Sequence, residues 1–346
     1  RKVADELTVI RSMRTDAINH DPGVTFMQTG HQQPGRPAMG AWLSYGLGSE
    51  NENLPAYLVL LSGQGQDQNV KARYWTSGFL PTIHQGVQLR SPGEPVFYLD
   101  NPPGLDRAVR RRILDSVREL NQAHLDIVGD PEIATRIAQY EMAFRMQTSV
   151  PDLVDLKQEP KHILERYGPD VNKPGSFAHS ALLARRLAEA GVPFTLLNYT
   201  LNQERGQDWD THEDNFNAMK NKLLPPMDLA VSALLDDLEE RGLLDSTLVA
   251  MFGEFGRTPK INANAGRDHW EKVFSVMLTG GGLKRGVVLG SSTKAGDLPF
   301  ERPVPFNDIL ATIYHQLGVP TDEVFHNATG QPIPVLTRGT PVMELI

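Results

Sequence analysis

Short apolar runs recur along the chain, and the stretches between them carry apolar residues at helical spacing. Residues 7–10, 58–61, 194–197, 247–252 and 274–278 have the length and composition of buried strands. Residues 39–45 predict a short helix entered through Arg36-Pro37, where proline suits the first turn, and left through Gly46. Further helices are predicted over 105–146, over 180–190 with a stop at Gly191, and around the stripe Val231, Leu234, Leu235 and Leu238. Asn307 is expected to cap a last helix with the buried stripe Ile309, Leu310, Ile313 and Leu317, stopped by Gly318. The polar segment 15–37 reads as a loop and 63–103 as an irregular excursion. Strands alternating with helices predict an α/β fold whose central sheet is largely parallel and covered by helices on both faces.

Length and composition narrow this picture. The 346 residues are read as one α/β domain over 1–346, with an irregular and helical excursion over about 63–175. A hydrophobic fraction of 40% and a charged fraction of 22% leave ample material for a core. The net charge of -8 argues against a nucleic-acid partner or an anionic membrane surface. Arg107, Arg110, Arg111 and Arg112 form a local basic cluster, read as a solvated helix face. The absence of cysteine excludes disulfides, thiolate ligands and a cysteine nucleophile, and no apolar run is long enough to predict a membrane span. The sequence opens on Arg1 without an initiator Met, so its natural start is expected upstream.

Open parallel sheets bind ligands beyond the carboxyl ends of their strands. Three segments beside predicted strands carry suitable groups: Asp208, Asp210 and His212; Glu254 and Arg257; Asp268 and His269. Carboxylates with imidazoles predict a divalent metal, with zinc, manganese, calcium and magnesium all open. The planar fork of Arg257 suits an anionic oxygen, or an ion pair with Glu254. His20, His31 and His179 each stand alone in the sequence and are expected to be structural or simply exposed.

Several motifs together carry a resemblance: residues 253–259 (Gly-Glu-Phe-Gly-Arg-Thr-Pro), 209–212 (Trp-Asp-Thr-His), 266–269 (Gly-Arg-Asp-His), Gly35-Arg36-Pro37 followed by Met39-Gly40, and residues 45–51. Along nearly its whole length the chain resembles the bacterial domain of unknown function 1501 family, which is grouped with the alkaline phosphatase and sulfatase superfamily. The resemblance implies an alkaline-phosphatase-like sheet and metal-dependent hydrolysis of a small anionic sulfate or phosphate ester. It implies metal ligands at Asp210, His212, Glu254 and His269, with Asp208 as an alternative. Arg257 would steady anionic charge, Asp268 would orient His269, and Thr29 and Ser44 are candidate nucleophiles. It also implies a periplasmic or extracellular location.

Three departures from the family pattern bear on activity. Phe255 stands where phosphatases place a histidine, Ala38 where relatives carry serine, and a Gly-Gly-Pro-Ser-His-x-Asp-like opening segment is absent, so an amino-terminal portion of the fold is expected to be missing. The alternative reading is a catalytically degenerate member that serves as a binding or assembly module for a protein partner.

Overall fold

A computed structural model describes residues 3–63, 71–91, 93–97, 99–199 and 209–346. Strand β1 (Thr8–Arg14) leads through α1 (His20–Thr29) and α2 (Met39–Leu47) to β2 (Tyr57–Ser62) and β3 (Val87–Leu89). A helical stretch follows: α3 (Arg107–Val128), α4 (Pro131–Val154), α5 (Lys161–Tyr167) and α6 (Phe177–Glu189). The chain then returns through β4 (Phe194–Tyr199), α7 (Asn215–Ala218) and α8 (Leu224–Glu240) to β5 (Val249–Met251). Short strands β6 (Gly256–Arg257) and β7 (His269–Trp270) precede β8 (Phe274–Thr279). After them come β9 (Val288–Leu289), β10 (Ser291–Ser292), β11 (Pro299–Glu301), β12 (Val304–Pro305) and α9 (Phe306–Gln316).

The fold is α/β, but the expected largely parallel sheet is corrected by the strand pairing. Among the described residues, β3, β2 and β4 form a parallel three-stranded sheet. A second, five-stranded sheet is mixed: β1 runs parallel to β12 and β9, whereas β8 runs antiparallel to both β1 and β5. Residues 252–273, which join β5 to β8, contain no helix. Parallel neighbours need a long, usually helical crossover, so the chain turns back antiparallel here.

Among the described residues, three apolar clusters hold the elements together. Strand β2 is buried through Leu58, Val59 and Leu60, which explains its unbroken apolar run. On one side it meets α4, α5, α6 and α8 through residues such as Val150, Ile163, Leu182 and Leu235. On the other, Tyr57 and Val59 pack with Val24, Tyr74 and Trp75. Ile10, Met13, Val276 and Leu278 of the mixed sheet pack with Trp42, Phe306, Ile309 and Leu310. Helix α2 sits close on the parallel sheet because Gly40 lacks a side chain: a β-carbon there would fall 2.6 Å from Phe194 and 2.7 Å from Tyr57.

Four local expectations are revised. The 15–37 loop contains α1, started at Asn19 and closed by Gly30 at φ 72, a left-handed turn suited to glycine. Helix α2 runs past Gly46 and ends at Gly48. The continuous helix over 105–146 is two, because Gly129 at φ 72 ends α3 and the Asp130 carboxylate caps α4. Pro305, not Asn307, occupies the cap position of α9, and Asn307 lies buried in its first turn.

Candidate metal centre

Sequence-distant segments meet at one cluster of carboxylates and imidazoles. The Asp210–His212 turn is fixed from behind by 258–268: Arg267 N–H donates to Thr211 O at 3.0 Å, and Asn262 Nδ2 donates to His212 O at 2.9 Å. The β6–β7 ladder sets Arg257 directly across from His269. His20 opens α1, and Gly23 one turn later lets Glu254 approach that helix, since a β-carbon there would lie 3.1 Å from Glu254 Cβ and Cγ.

Asp210 is the hub. Its Oδ1 lies 3.0 Å from His212 Nε2, 3.2 Å from His269 Nε2 and 2.5 Å from an Arg257 guanidinium nitrogen. Its Oδ2 lies 3.1 Å from His20 Nε2. His212 Nε2 and His269 Nε2 are themselves 3.2 Å apart.

Each imidazole is held through its other nitrogen. His20 Nδ1 lies 2.6 Å from Glu254 Oε1, His212 Nδ1 2.8 Å from Asp268 Oδ1, and His269 Nδ1 2.8 Å from Ile18 O. A carbonyl or carboxylate oxygen only accepts, so each Nδ1 carries the proton. The Nε2 atoms of His212 and His269 face each other and the same carboxylate oxygen of Asp210. Two imidazole nitrogens and a carboxylate oxygen are a donor set for a divalent cation, and ring orientation by an outer carboxylate or carbonyl is the usual setting of a metal-bound histidine.

The spacing also fits. Tetrahedral ligands about 2.0 Å from zinc stand roughly 3.3 Å apart, close to the 3.0–3.2 Å edges of the Asp210, His212 and His269 triangle. His20 Nε2 is buried with no aligned hydrogen-bond partner, and it groups with Asp210 and His269 at metal-ligand separation.

Charge balance follows the same contacts. Burial opposes the charge of Asp210, yet contacts with His20 and Arg257 hold its carboxyl well below the ordinary range. Contact with Asp210, then the hydrogen bond with Glu254, raises His20 to about 9. Burial is the main cause that lowers His269 from its ordinary value, and hydrogen bonds from His212 and Asn262 lower Asp268.

All six candidates Asp210, His212, Glu254, Arg257, Asp268 and His269 thus join one network, but not in the expected arrangement. Glu254 bonds His20 instead of standing beside the Nε2 atoms. Asp268 orients His212, and the Ile18 carbonyl orients His269. Arg257 pairs with Asp210, not with Glu254. Asp208 lies outside the described residues. The hydroxyl of Thr29 donates to Thr25 O, and that of Ser44 bonds His84. His31 and His179 make local contacts with Gln33 and Val171.

Sequence reasoning passed over His20. The signal was present, because His20 follows the first predicted strand just as the other site segments flank theirs.

A family profile described as "Protein of unknown function (DUF1501)" matches residues 1–346. The chain belongs to the DUF1501 family. No curated protein matches this DUF1501 sequence. Among solved structures, it is similar to the phosphonate monoester hydrolase SpPMH from Silicibacter pomeroyi, at 12% identity and a TM-score of 0.39, over 99% of this chain and 70% of that one.

Proposed function

We propose that this DUF1501 protein is a metal-dependent hydrolase of sulfate or phosphate esters on an alkaline-phosphatase-like α/β fold. One observation carries the reading: the facing Nε2 atoms of His212 and His269, 3.2 Å apart, with each Nδ1 already hydrogen-bonded. The motif resemblance to the alkaline phosphatase and sulfatase superfamily supports it. Mixed imidazole and carboxylate donors favour zinc or manganese over calcium or magnesium.

Asp210, His212 and His269 would hold the cation, with His20 at the second Asp210 oxygen. When bound, it supplies Lewis acidity that polarises an ester oxygen and lowers the pKa of water. Asp268, Glu254 and the Ile18 carbonyl keep the rings in place. Arg257, 21% exposed, offers its guanidinium to the charge that develops on the ester. A water molecule would attack: its oxygen bonds to sulfur or phosphorus as the bond to the alcohol oxygen breaks, and the alcohol leaves with the proton that the water gives up.

A second reading, a binding or assembly module without turnover, is favoured by Phe255. Its ring lies 4.4 Å from that of His269 and 5.2 Å from that of His20, an apolar face where a further ligand would stand.

Metal analysis of purified protein with chromogenic sulfate and phosphate esters separates the two. The hydrolase is expected to hold about one equivalent of metal per chain and to lose turnover in His212→Ala and His269→Ala. Metal without turnover supports the module, and protein that stays metal-free after dialysis against zinc and manganese refutes the metal centre.

A further inference from the structure

Asn262 is half-buried in the loop that joins β6 to β7. Its Oδ1 accepts from the Asn264 N–H at 3.0 Å and from the Gly266 N–H at 2.9 Å. Its Nδ2 donates to His212 O at 2.9 Å and to Asp268 Oδ1 at 3.1 Å. An amide carries two N–H donors on one atom and two lone pairs on the other, so the whole side chain is engaged. The same contacts fix its orientation, because a reversed amide would turn N–H toward donors and oxygen toward acceptors.

The two arms of the amide act on different parts of the molecule. The oxygen arm shapes the loop, together with a bond from the Asn262 N–H to Gly266 O at 3.0 Å. Ala265, inside that turn, stands at φ 56, a left-handed conformation that a residue other than glycine keeps only where its surroundings enforce it. The nitrogen arm leaves the loop. One N–H reaches the backbone of His212, 50 residues away in sequence. The other reaches the same Asp268 oxygen that accepts from His212 Nδ1 at 2.8 Å. One nitrogen therefore holds His212 at its backbone and, through Asp268, at its ring. The ring keeps little freedom about its side-chain bonds, and its Nε2 stands 3.0 Å from Asp210 Oδ1.

These demands select the residue type. Aspartate keeps the acceptors but has no donor, serine has one donor, and the amide of glutamine stands one methylene further out. We propose that Asn262 is a positioning residue of the candidate metal centre: its Nδ2 holds His212 and Asp268 as one unit and so sets where His212 Nε2 lies. The effect on metal affinity rests on the metal-centre reading above, whereas the hold on the His212 ring does not.

Asn262→Asp separates the two arms. The carboxylate still accepts from Asn264 and Gly266, but it confronts His212 O and Asp268 Oδ1 with a third acceptor. The first readout needs no metal: carbon-13 NMR relaxation of the His212 ring C–H groups, assigned by their loss in His212→Ala. In the unaltered protein the ring is expected to be as ordered as rigid backbone, with an order parameter of about 0.85, and in Asn262→Asp to fall below about 0.6. The His269 ring, held by the Ile18 carbonyl, is expected to keep its order and so serves as the internal control. The second readout is zinc affinity. A new carboxylate near the centre would by its charge alone raise affinity for a cation, whereas lost positioning lowers it, and a fall of about 10- to 100-fold is expected. Asn262→Ala removes both arms without adding charge, is expected to change both readouts in the same direction, and decides the matter if Asn262→Asp does not fold. A His212 ring as ordered in the variants as in the unaltered protein, equal loss of order at His269, or zinc affinity that does not fall overturns the proposal. If the unaltered protein binds no zinc, the metal centre is refuted and the relaxation measurement alone decides the role of Asn262.

Discussion

Gly266 packs so tightly on the backbone of His212 that a β-carbon there would lie 1.9 Å from the His212 carbonyl oxygen. No side-chain rotation relieves a clash with backbone. Gly266→Ala is therefore expected to displace the Asp210–His212 turn and to reduce metal affinity by more than roughly ten-fold. Calorimetric titration with zinc checks this, and an unchanged affinity would show that the turn holds its position without Gly266.

Asp268 acts on the centre through His212. In Asp268→Asn the amide still accepts from Nδ1–H but carries no charge to strengthen Nε2 as a donor. Metal affinity is expected to fall by about 10- to 100-fold with stoichiometry retained, whereas His212→Ala loses the ligand itself. Competition against a chromophoric chelator measures both, and equal affinity in Asp268→Asn and the unaltered protein would remove this role.

The parallel sheet rests against a buried ionic network. Arg185 and Asp237 are each 1% exposed with Nε and Oδ2 2.9 Å apart, and Glu159 lies 2.6 Å from the same guanidinium. Arg185→Ala would leave buried carboxylates without their main counter-charge, at a cost of about 3–5 kcal/mol. Urea unfolding is expected to show a lower midpoint at unchanged slope. A shift below about 1 kcal/mol would mean that Arg241, which also bonds Asp237, suffices.

Acid should weaken a second, more exposed pair. Arg302 holds Glu344 at about 2, with Nε 2.6 Å from Oε1. A depressed carboxyl stabilises the fold fully above its unfolded value of 4.5, and that contribution is lost as pH falls through about 2. Both side chains are over a third exposed, so the gap between the unaltered protein and Glu344→Gln is small, about 0.5 kcal/mol. Thermal melts are expected to show that gap narrowing from about pH 7 to about pH 3. A gap that widens with acid would contradict the assignment.

Much of the architecture was legible because apolar periodicity is a local signal. The run at 58–61 gave β2, and the stripe through Ile309, Leu310 and Ile313 gave α9. Helix α1 was not legible, since its sequence includes Pro22, Gly23, Val24 and Thr25, all poor helix formers. It forms because Val24 and Phe26 are buried against the two sheets. In the candidate centre, residue types beside the strands pointed to Asp210, His212 and His269, while His20, which also follows a predicted strand, has no other member of the centre beside it in the sequence.

By itself, the sequence determined the alternation of strands and helices and the chemistry available beside the strands, because both depend on neighbouring residues. Tertiary structure alone decided strand direction, the entry of His20 and the partners of Glu254 and Asp268. The physical reason is range: the His20–Glu254 bond spans 234 residues, and a hydrogen bond exists only where the folded backbone brings two atoms within about 3 Å.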